Sequence, residues 1–109
     1  MPITVNKKLL EEGQGYETAT GQTEGNEVIF KLNASQRYIV DCVVTSAGTA
    51  SLKGMTGTTE PTDFSAMAIA NDGTQTTNFS REVDGWSYVG LDIASSSGGT
   101  WTTVVRRVD

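Results

Sequence analysis

Arg37-Tyr38-Ile39-Val40-Asp41-Cys42-Val43-Val44-Thr45, followed by Ser46-Ala47-Gly48-Thr49, is the stretch on which the fold turns. Nine residues rich in β-branched and aromatic side chains run into a Ser/Gly turn. Tyr38, Val40, Cys42 and Val44 fall on one face by the two-residue period of an extended chain.

The pattern repeats in both directions. Val28, Phe30 and Leu32 form a one-faced strand within Glu27-Val28-Ile29-Phe30-Lys31-Leu32. Asn33 to Gln36 is a turn. Thr49 to Met55 is a return strand. Pro61 forbids ladder bonding in the loop at 57–63, and Phe64 to Ala70 reads as a short apolar strand. Asn71-Asp72-Gly73 suits a hairpin bend. Thr74 to Glu82 is a polar strand carrying Phe79, and Val83-Asp84-Gly85 turns again. Trp86 to Ser95 points Val89, Leu91 and Ile93 inward, and Thr100 to Val108 is the last strand. Such spacing is that of a sandwich or barrel. The composition agrees: 16 Thr and 9 Ser join the 12 Gly of this 109-residue chain, favouring strands and turns over helices.

Residues 1–26 differ. Ile3 and Val5 suit a short extended segment, and Asn6 to Glu12 suits one or two helical turns with Leu9 and Leu10 apolar. Tyr16 to Thr20 alternates weakly before a polar loop at 21–26. The expected organisation is an N-terminal arm with a first short strand at 1–26 and a β-sandwich domain at 27–109. The fold class is all-β, an antiparallel sandwich of jelly-roll or immunoglobulin-like order.

One internal similarity is notable. At an offset of 51, residues 37–53 align without gaps on 88–104. Asp41 meets Asp92, Ser46 meets Ser97, and Gly48-Thr49 meets Gly99-Thr100. Each copy reads as a hairpin of a long strand, a Ser/Gly turn and a return strand. Duplication and the shared chemistry of any two hairpins both account for this.

Chemistry is sparse. The chain has no His, the usual general base and metal ligand. The single Cys42 allows no internal disulfide and reads as a buried small hydrophobe. Asp41 and Asp92 are the one candidate carboxylate pair, and alternation puts both on outward faces. Asn71-Asp72-Gly73 lacks the further acids of a calcium loop. No catalytic, cofactor or metal residues are therefore assigned, and no enzyme is expected. A net charge of −5 disfavours nucleic acid and anionic membrane surfaces. No signal-peptide or membrane-spanning stretch appears, so synthesis in a cytoplasm is expected. Trp86, Tyr88, Trp101 and Tyr38 are candidates for stacking on sugars, or for filling a core or interface.

The segment from Gly85-Trp86 through the strand Tyr88-Val89-Gly90-Leu91-Asp92-Ile93 and the turn Ser95-Ser96-Ser97-Gly98-Gly99 to Thr100-Trp101-Thr102 resembles small bacteriophage virion proteins with β-sandwich folds. Arg37 to Leu52 repeats the theme without the initial Gly-aromatic pair, so the resemblance covers about 35 residues and is one of style. It implies a structural, non-enzymatic role: a capsid decoration or cement subunit, located on the virion surface after synthesis in the host. It implies the major capsid protein as partner and a homo-oligomer, with a trimer favoured. A carbohydrate- or receptor-binding module of a head fibre or tail tip is the alternative. Ile3, Val5, Leu9, Leu10, Trp86 and Trp101 are the candidate partner-binding residues, the first four becoming buried on assembly.

Overall fold

A computed structural model describes residues 4–6, 16–23, 27–33, 35–45, 48–57, 59, 61, 64, 67, 74–95 and 99–108. Among them are eight strands and no α-helix: β1 Thr4–Asn6, β2 Tyr16–Gln22, β3 Val28–Lys31, β4 Arg37–Val44, β5 Thr49–Met55, β6 Phe79–Asp84, β7 Tyr88–Ser95 and β8 Trp101–Val108. They form two four-stranded sheets, ordered β1-β3-β7-β5 (sheet A) and β2-β8-β4-β6 (sheet B). All ladders are antiparallel except β1–β3. The expected all-β sandwich is what the chain adopts.

Every odd strand lies in sheet A and every even strand in sheet B. Each connection therefore crosses between the sheets, and no two consecutive strands pair. This corrects the hairpins expected at 37–53 and 88–104. β4 bonds to β6 and β8, and β5 bonds to β7. Each "hairpin" is an arch whose two strands face each other across the core. The physical reason is that alternation states which face of a strand is apolar, and not which neighbour takes its backbone hydrogen bonds. The strand order also differs from jelly-roll and immunoglobulin-like orders, both of which set some chain neighbours side by side.

The inward residues are those the alternation picks out. Phe30, Leu32, Tyr38, Val40, Cys42, Val89, Leu91 and Ile93 pack between the sheets with Ala50, Leu52, Val83, Trp86, Trp101 and Val105. Val28 and Val44 pack against them, partly buried. Phe79 meets the Trp101 ring edge-on, with centroids 6.2 Å apart.

Other boundaries shift. The strand expected at 74–82 begins only at Phe79, and Gln75 makes an isolated bridge to Ala50. The strand expected from Trp86 begins at Tyr88, after Gly85 turns the chain at φ +82°. Phe64 and Met67, expected in a strand, instead form a turn in which the Met67 N–H donates to the Phe64 carbonyl at 3.0 Å. Both lie against the outer face of sheet A, over Ile29, Tyr88 and Met55. A lone apolar run cannot distinguish a strand from a segment draped over a sheet.

Two strands fall within residues 1–26, and each is laid into a sheet: β1 against β3 and β2 against β8. The helical turns expected at 6–12 lie outside the described residues.

Candidate functional site

The offset of 51 acquires a geometric meaning. It superposes β4 of sheet B on β7 of sheet A, and β5 of sheet A on β8 of sheet B. The burial follows: Tyr38, Val40 and Cys42 match Val89, Leu91 and Ile93, while Ala50 and Leu52 match Trp101 and Thr103, and all are buried. The first strand of each arch pairs with the second strand of the other. The two ladders differ by two residues: Val40 faces Val105, but Leu91 faces Leu52 rather than the equivalent Gly54.

The candidate carboxylate pair obeys the same relation. Asp41 lies opposite Val104, and its Oδ2 accepts from Nε of Arg106, two residues further along β8, at 2.8 Å. Asp92 lies opposite Ser51, and its Oδ2 is 2.8 Å from Nζ of Lys53, two residues further along β5. Each aspartate thus clasps a cation of the other arch on an outer face. The Arg106 hydrogen bond holds the Asp41 carboxyl below its ordinary range, against the opposing effect of burial, and the Ser80 hydroxyl, donating at 2.7 Å, helps. The same bond raises Arg106. The two aspartates belong to different sheets and point away from each other. They do not converge on a cleft as general acid and base must.

The tryptophans are interior. Trp101 is wholly buried and Trp86 is 8% exposed. Trp86 lies flat on Gly54, where a Cβ would sit 2.2 Å from Trp86 Cε3. A ring in the core offers no face to a sugar, so neither supports a stacking platform. Val5 is in β1, opposite Ile29. Ile3, Leu9 and Leu10 lie outside the described residues.

Sequence reading missed a polar pin inside the core. Gln22 is 1% exposed. Its Nε2 donates to Thr103 Oγ1 at 2.7 Å, and its Oε1 accepts from the Val28 N–H at 3.0 Å, joining sheet B to sheet A. Glu27, five residues on, is also buried, and its Oε2 accepts from the Ile93 N–H at 3.2 Å. Its Oε1, like Trp101 Nε1, has no hydrogen-bond partner. Residues 21–26 read as polar loop, and the signal available was Thr103, a polar side chain at an inward position between Trp101 and Val105.

The two outer faces differ. Sheet A is covered by Phe64 and Met67 of its own chain. On sheet B the register sets Thr18, Val104, Asp41 and Ser80 in one row, with Thr102 beside Val43 and Arg106 beside Ile39 in the flanking rows. Val43 is 42% exposed, and Ile39, Thr102, Val104 and Val108 are half-buried. Two ion pairs lie there, Arg37 with Glu82 at 3.3 Å and Arg106 with Asp41. No group of acidic or Cys residues among the described residues is arranged to hold a metal ion.

No protein-family model matches the chain, and no curated protein does. Solved structures do. The chain is similar to PliG of Aeromonas hydrophila, a periplasmic inhibitor of g-type lysozyme. The match covers 98% of each chain, with a TM-score of 0.56 and 14% identity. It is also similar to CorA of Methylomicrobium album, a surface-associated copper-binding protein, at 7% identity and a TM-score of 0.46 over 97% of this chain and all of that one. The first likeness is one of fold. The named neighbours are an inhibitor and a binding protein.

Proposed function

We propose that this chain is a non-catalytic binding domain that docks on another protein through the outer face of sheet B, and that it serves in a virion as a capsid decoration or cement subunit. The observation that carries the docking reading is the inequality of the two outer faces. Phe64 and Met67 of the chain itself cover one over Ile29, Tyr88 and Met55, and among the described residues none covers the other, where Val43 is exposed among half-buried Ile39, Thr102 and Val104. A flat array of β-branched side chains gives apolar contact at little rotamer cost. Arg37 holds Glu82 and Arg106 holds Asp41, so those four charges would enter a docked surface already paired. The virion role rests on the resemblance of residues 85–102, and the major capsid protein is the proposed partner.

The test has two parts. Gradient-purified particles of the virus encoding the chain should contain it by mass spectrometry, and its absence from them ends the virion reading. Purified protein should cosediment with particles that lack it, whereas Val43→Asp should not, with an unchanged circular dichroism spectrum. Undiminished binding by Val43→Asp would reject the face.

A second reading, inhibition of a lysozyme, is favoured by the full-length fold likeness to PliG. Cell-wall lysis by a g-type lysozyme, measured with and without equimolar protein, decides it.

A further inference from the structure

We draw no further inference here: the strongest candidate, the edge of sheet B along β2, sets Glu17 at the inward-facing register position opposite Val105 and bulges between Ala19 and Gln22, and nothing in the structure shows what covers it.

Discussion

Gly54 shows how one residue's missing side chain places a neighbour's large one. The indole of Trp86 occupies the space in which any Cβ at 54 would stand, 2.2 Å from Cε3 and 2.5 Å from Cζ3. An added methyl must push a buried ring into a packed core, which has little slack. Gly54→Ala should therefore destabilise the domain by about 3 kcal/mol, the upper end of the usual cost of overpacking. The urea midpoint measures it. The same substitution in a Trp86→Leu background should cost far less, since the clashing atoms are gone. Equal losses in both backgrounds would show that the ring is not the obstacle.

At the scale of strands, the two arches are held to each other by equivalent diagonal ion pairs. Asp41 to Arg106 is the more exposed, with side chains 30% and 49% accessible. Its contribution is correspondingly screened, but its pH dependence has a definite sign. The Asp41 carboxyl titrates below its ordinary 3.8 in the folded chain. The stability it confers is present in full above that ordinary value, and is lost as pH falls through the lowered one. Asp41→Asn should be less stable than wild type at neutral pH, and the gap should close as pH falls through the lowered value of the Asp41 carboxyl. Urea midpoints measured across that range give the answer; a constant gap down to the lowest pH would contradict it. The Gln22 pin belongs to this scale too, since one side chain of β2 bonds both Thr103 of β8 and the Val28 N–H at the start of β3.

For the whole molecule, the alternation of strands between sheets has a kinetic and thermodynamic consequence. None of the eight described strands pairs with its chain neighbour, so none of them can form a local hairpin and wait for the rest. Each arch takes its backbone partners from the other, and neither is a separable unit. Unfolding should be a single cooperative transition, with the near-ultraviolet signal of Trp86 and Trp101 and the far-ultraviolet strand signal sharing one midpoint. Folding should be slow for the chain length, on the order of milliseconds to seconds, because every ladder needs a distant segment to arrive. Two separated midpoints would mean that the arches fold independently.

The sequence by itself determined the eight-residue cores of β4, β7 and β8 and placed β3, β5 and β6 within a few residues, but it also expected a strand at 64–70 where Phe64 and Met67 form a turn. Period-two alternation is a local property, and burial on one face enforces it. It also determined that Cys42 is interior and that Asp41 and Asp92 are equivalent. Only the tertiary structure decided that the arches cross the core rather than fold back as hairpins. It alone laid Phe64 and Met67 on the outer face of sheet A and sent both tryptophans inside. Those outcomes depend on which segments meet, and a hydrogen-bonding backbone carries the same donors and acceptors at nearly every residue. The choice of partner is therefore made by packing across the whole chain, where side-chain alternation has nothing to say.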